Sequence, residues 1–269
     1  MKRLLCALAL LLGGALTPAH ATSYQDLWWN SSESGWGMNI LHQGDTLVAT
    51  WFIYDTDGKP MWLLGVLDKA GAVSYAGTVS RYTGPGYNLA AFDPKQVTET
   101  AVGTAQLNFT DPTHGNLTYT VNGTVVTKNV TRQTYAEPKA NGTFVVAAYR
   151  VRSGCADPSQ NSAYFVYGRA YDFYQADGKL SVGYGSLDPS NVFTMSCRAI
   201  GPFAVGGSIA GFSAPFTCAN GTAGTLTLSG LKTTDAGILA EAVWQFNGAS
   251  GGCRHLDSVG GARLQGVGL

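Results

Sequence analysis

Short runs of β-forming residues recur along almost the whole chain, each cut off by a cluster of Gly, Asp, Asn or Pro, and no segment carries a convincing helical period. In the first half the runs are Trp36 to His42, Leu47 to Tyr54, Met61 to Leu67, Val73 to Arg81, Tyr87 to Phe92, Val102 to Thr110, Leu117 to Val121 and Thr124 to Arg132. Asn122-Gly123 separates the last two, and Asn-Gly between β-formers is a strong hairpin signal because both turn positions need positive φ. Glu137-Pro138-Lys139-Ala140-Asn141-Gly142 then breaks the pattern. It restarts as Phe144 to Val151, Tyr164 to Tyr174, Leu180 to Leu187, Val192 to Ile200, Ser208 to Thr217, Thr225 to Leu231, Ile238 to Phe246 and Arg254 to Leu264. Strands that follow one another through short turns close most simply as an up-and-down meander. The reading is therefore all-β: two consecutive small antiparallel β-barrels or sandwiches, lipocalin- or avidin-like in architecture. The N-terminal barrel domain spans 22–137 and the C-terminal β domain 142–269.

One echo links the halves, Tyr54-Asp55-Thr56-Asp57-Gly58-Lys59 against Tyr174-Gln175-Ala176-Asp177-Gly178-Lys179. It reads either as a trace of duplication or as the common use of Asp-Gly in hairpin turns.

Residues 1–21 read as a cleavable signal peptide. Lys2 and Arg3 precede the apolar run Leu4 to Leu12, and Ala19-His20-Ala21 is a small-x-small cleavage site. The run is too short to cross a bilayer as a helix. Cys6 lies inside it, so the mature chain, starting at Thr22, keeps Cys155, Cys197, Cys218 and Cys253. An even number of cysteines in an exported chain predicts two disulfides in the second domain, with three pairings open. The closest spacing is 21 residues, against the paired spacing that zinc sites use. The predicted location is the periplasm or the exterior. Seven Asn-x-Ser/Thr triplets arise by chance in threonine-rich strands with Asn-Gly turns, and the signal peptide has a bacterial look.

Acidic and basic residues balance at 17 each and only 13% of residues are charged. That argues against a nucleic-acid partner, which calls for a basic surplus. Neither a metal or cofactor motif nor a transmembrane helix is read from the sequence.

Five of the six tryptophans crowd into the start of the mature chain: Trp28, Trp29, Trp36, Trp51 and Trp62. Alternate residues of a strand share a face. On that basis Trp36, Trp51 and Trp62 are expected to point into one interior. Two readings follow. Each buried indole removes about 150–250 Å² from water, so three of them suffice as a dry core. Alternatively they line a cavity for a small apolar or carbohydrate ligand, with Trp29, Trp36, Asn39, Trp51, Tyr54 and Trp62 as candidate binding residues.

The same stretch carries a resemblance. Leu27-Trp28-Trp29-Asn30, Glu33-Ser34-Gly35-Trp36-Gly37 and Asn39, followed by Ala49-Thr50-Trp51-Phe52, Tyr54-Asp55, Asp57-Gly58-Lys59-Pro60 and Trp62-Leu63, resemble a signature of exported proteobacterial proteins. A looser likeness covers Gly224 to Leu228 and Gly252-Cys253-Arg254. The resemblance implies export and a β-rich fold, and brings no activity with it.

Catalysis finds little in the sequence. His42, His114 and His255 are scattered, no G-x-S-x-G elbow occurs, and Ser34 reads as a turn residue. Glu33 with Asp45 or Asp55 is the one carboxylate pair of the kind glycoside hydrolysis needs. The functional reading is a non-catalytic binding module for a small or glycan-like ligand on a tryptophan-rich barrel. Its rivals are a structural or interaction protein with a dry tryptophan core, an outer-membrane barrel, and a glycoside-acting enzyme.

Overall fold

The computed structural model describes residues 22–88, 91–190, 192–247 and 252–264. The signal peptide expected at 1–21 lies outside the described residues.

Sixteen antiparallel strands form two closed eight-stranded barrels in strict chain order. The first contains β1 (Asp26–Trp29), β2 (Gly37–Gln43), β3 (Thr46–Tyr54), β4 (Pro60–Lys69), β5 (Ser74–Thr83), β6 (Thr98–Phe109), β7 (His114–Val121) and β8 (Thr124–Arg132). The second contains β9 (Gly142–Ser153), β10 (Ser162–Ala176), β11 (Lys179–Leu187), β12 (Phe193–Gly206), β13 (Ile209–Cys218), β14 (Ala223–Thr233), β15 (Gly237–Phe246) and β16 (Arg254–Arg263). Each sheet uses only its own strands, so the meander predicted from turn spacing holds in both halves. Two elements differ from expectation. Tyr87–Phe92 forms no strand among its described residues, and the short β1 takes the eighth place in the first barrel.

The turns follow their chemistry. Asn122 and Gly123 both take positive φ, 49° and 84°, as a tight two-residue hairpin requires. Asp177 and Gly178 do the same at 52° and 68°. In the sequence echo, however, Asp57 has no positive φ and Gly58 closes a longer loop. That loop joins the third and fourth strands of its barrel, whereas Asp177-Gly178 joins the second and third. The echo therefore occupies different hairpins and reflects turn preference.

Apolar side chains pack both cores. Eight strands leave room for little more than side chains. Trp28, Met38, Ile40, Leu47, Trp51, Leu63, Leu67, Leu107 and Leu117 pack the first core with no exposed surface. Phe144, Tyr171, Phe216, Leu226 and Trp244 anchor the second. Apolar residues thus face inward, the reverse of the polar lumen of an outer-membrane barrel.

The barrels close differently. β1 meets β8 at only two positions, Trp28↔Arg132 and Trp29↔Thr131. The fully buried Arg132 side chain reinforces this seam. It donates to the carbonyls of Pro112 (2.6 Å), Gln25 (3.1 Å) and Ser23, pairs with Asp26 at 3.2 Å, and lies 5.1 Å over the Trp28 ring. In the second barrel β9 and β16 pair at ten positions, from Arg254↔Ser153 to Arg263↔Phe144. The Cys155–Cys253 disulfide crosses this seam, and Cys197–Cys218 joins the facing strands β12 and β13. Cys155, Cys197, Cys218 and Cys253 are therefore all paired, as the count predicted.

The turn between β12 and β13 meets the first barrel. Gly207 N donates to Thr134 Oγ1 at 2.8 Å and Ser208 N to Asp26 at 2.7 Å. The second core begins before β9. Ala140 is fully buried in it, and its N–H donates to Gln175 Oε1. A domain boundary at 142 would strip that residue from its core.

Candidate functional site

Pairing registers decide where the candidate residues point. Trp51 faces Leu63, and Phe52 faces Trp62. Trp51 and Leu63 are inward, so Trp62 stands on the outer surface, 45% exposed. The expected three-tryptophan interior does not form. Trp51 alone of the three lies fully inside, its ring over Gly65; a Cβ there would come within 2.8 Å of the indole. Its Nε1 has no hydrogen-bond partner. Trp36 lies half-buried against the edge of the same core. Its Nε1 donates to Glu33 Oε2 at 3.0 Å, and Lys128 Nζ reaches the same carboxylate at 2.6 Å and sits 5.9 Å from the Trp36 ring.

The other candidates gather on the outer face. Trp28 is inward, so Trp29 is outward and stands beside Gly37. Gly37 pairs with Phe52, Phe52 pairs with Trp62, and Trp62 stacks on Tyr82 of β5 with ring centroids 5.3 Å apart at 8°. One transverse row thus crosses five consecutive strands: Trp29, Gly37, Phe52, Trp62, Tyr82. Tyr54 extends it and is held by a hydrogen bond from its hydroxyl to the Gly35 carbonyl at 3.0 Å. Asn39 lies half-buried on the same face between Leu27 and Thr50. Tyr135, from the segment after β8, joins Trp29, Gly37 and Phe52 around a groove of about 380 Å³.

Gly37 leaves a gap in this row. Neighbouring strands lie about 4.8 Å apart, so Trp29 and Phe52, two strands apart, are rooted about 9.6 Å from each other. A flat ring in contact on both faces needs about 7–8 Å between its neighbours. Trp29 and Phe52 are thus rooted far enough apart for one planar ring, with no side chain at Gly37 between them.

Sequence reasoning assigned Trp62 to the wrong side because β4, Met61-Trp62-Leu63-Leu64, is apolar on both faces and alternation cannot orient it. It also missed Phe52, Tyr82 and Tyr135. The usable signal was the hairpin itself. A five-residue loop between the paired residues Tyr54 and Pro60 sets Trp62 opposite Phe52, one position off Trp51.

The carboxylates proposed for catalysis are engaged elsewhere. The hydrogen bond from Lys128 holds the Glu33 carboxyl below its ordinary value. Asp55 is held low first by the Thr56 backbone N–H and then by Arg81, 2.9 Å away. Asp45 pairs with Lys69 at 2.8 Å. A glycoside-cleaving pair needs one carboxyl held protonated, with a raised pKa; Glu33 and Asp55 are both shifted the other way. Among the described residues, no cluster of three or more His, Cys, Asp or Glu is placed to hold a metal. Comparison of the chain with protein-family models, curated proteins and solved structures finds no match.

Proposed function

We propose that the protein is an exported, non-catalytic binding module whose first barrel captures a small ring-bearing or glycan-like ligand on its outer aromatic face. The observation that carries this reading is the row Trp29, Phe52, Trp62 and Tyr82, interrupted at Gly37, which has no side chain. Aromatic side chains that remain in water on one face of a barrel with a packed core contribute little to packing, and such patches mark interaction sites. Export is supported by the Lys2-Arg3 and Leu4 to Leu12 pattern and by two disulfides in the second barrel. The packed core fits the rival reading of a dry tryptophan core, and moves any ligand to the outside.

The test uses a p-nitrophenyl glycoside, which carries both a sugar and an aromatic ring, and a soluble polysaccharide in affinity electrophoresis. Saturable quenching of tryptophan fluorescence is expected. Filling the gap with Gly37→Val or removing a wall with Phe52→Ala weakens binding three- to tenfold, since one aromatic stack contributes about 0.5–1.5 kcal/mol. Quenching that is absent, or unchanged in both variants, defeats the proposal.

A further inference from the structure

We infer that the end of the second barrel remote from the first binds a small oxyanion, a carboxylate- or phosphate-class group, among the inward side chains of Arg150, Tyr171, Trp244 and His255. This site is independent of the aromatic face of the first barrel.

The residues come from four strands and meet inside the barrel. Arg150 of β9 pairs with Asp257 of β16 through two bonds of 2.7 Å, Nε to Oδ1 and Nη2 to Oδ2, leaving Nη1 outside the pair. His255, two residues before Asp257, faces Trp244 across the β15–β16 ladder. The Trp244 ring lies 6.5 Å from that of Tyr171, and Tyr184 touches both. Tyr171 and Trp244 are only 2% and 3% exposed. Yet among the described residues Tyr171 Oη and Trp244 Nε1 have at most a loose approach to each other, and His255 Nδ1 has no hydrogen-bond partner. Buried polar groups are almost always paired, so three under-satisfied ones in a single barrel end point to a further partner.

The donors define its chemistry. An indole N–H and a guanidinium only donate, and a phenol and a neutral imidazole each carry one proton to give. The complementary group is an acceptor. Its charge follows from the balance of the cluster. Asp257 offsets Arg150, whereas Arg152 bonds to the neutral partners Gln160 Oε1 (2.6 Å) and Cys253 Sγ (3.2 Å). Burial first, then the positive charges of Arg150 and Arg152, hold His255 down to a pKa of about 4. An apolar ligand would leave the donors unpaired, and a cation would meet a positive field.

The six tryptophans give six indole N–H signals in a ¹⁵N-correlated NMR spectrum, and Trp244→Phe identifies the one from the second barrel. The full mature chain is titrated with sodium acetate and, separately, inorganic phosphate, against sodium chloride at matched ionic strength. The Trp244 signal is expected to move saturably with acetate or phosphate and to stay put in chloride. The arm that saturates at lower concentration names the class. Tyr171→Phe, which keeps the ring, and Arg152→Gln, farther from the core, should each raise the midpoint three- to tenfold while the other five signals hold their positions. A Trp244 signal that responds alike to all three salts, or midpoints unmoved in both variants, overturns the inference.

Discussion

Trp51 and Trp62 are eleven positions apart and sit on opposite sides of one wall. Trp51→Ala should cost about 3–5 kcal/mol, as large buried aromatics do on truncation. Trp62→Ala removes one exposed stack on Tyr82 and should cost no more than about 1.5 kcal/mol. Chemical denaturation of the two variants checks this, and equal losses would contradict the register. His255 makes a prediction about pH. Its folded pKa of about 4 lies below the ordinary 6.5. As pH falls through 6.5 the unfolded chain takes up a proton that the folded chain refuses. Stability is therefore lost between about pH 6.5 and 4, by at most about 3 kcal/mol before solvent screening reduces it. The groups facing it are Arg150, Arg152 and, through Arg150, Asp257. His255→Gln should flatten that part of the stability curve, and a slope that persists unchanged would assign it elsewhere.

At the scale of elements, the weakest join is β1 against β8, two residue pairs where the other barrel has ten. Arg132 bridges β1, the segment before it and the β6–β7 loop, and is buried well enough that desolvation pulls its pKa below the ordinary arginine value while Asp26 pulls it back. Arg132→Ala removes the charge partner of Asp26 and the donor to three carbonyls, and should cost about 3–5 kcal/mol. Arg132→Lys keeps the charge but not the forked geometry, and should recover only part. Hydrogen exchange should show β1 opening first in both variants. Protection of β1 equal to that of β3 would refute the clamp.

At the scale of the molecule, no strand crosses between barrels, and the contacts named between them are two backbone donations onto Thr134 and Asp26. Fragments 22–137 and 138–269 should each fold alone, whereas a fragment starting at 142 lacks the buried Ala140 and should be less stable than one starting at 138. Circular dichroism melts of the three fragments decide it, and aggregation of both longer pieces would refute separability. The disulfides span 98 and 21 positions, so their chain-entropy contributions are about 5 and 3 kcal/mol. A reducing agent should lower only the transition of the second fragment.

Much of this was legible in the chain. Turn residues at regular intervals specified fifteen of the sixteen strands in sequence order, Asn122-Gly123 fixed a hairpin, and the parity of the cysteines announced two bridges. These are local signals, because a turn is chosen by the φ its own residues tolerate. The facing of each side chain was not local. In β4, where Trp62, Leu63 and Leu64 are all apolar, only pairing with β3 decides which face turns inward, and a shift of one residue exchanges interior and surface. The same holds for the polar end of the second barrel. Arg150 and Asp257 lie 107 positions apart and become neighbours only when the first and last strands close the sheet. Sequence determined that this chain would make two successive antiparallel meanders, barrel or sandwich. Closure and register decided which tryptophans became core and which became surface.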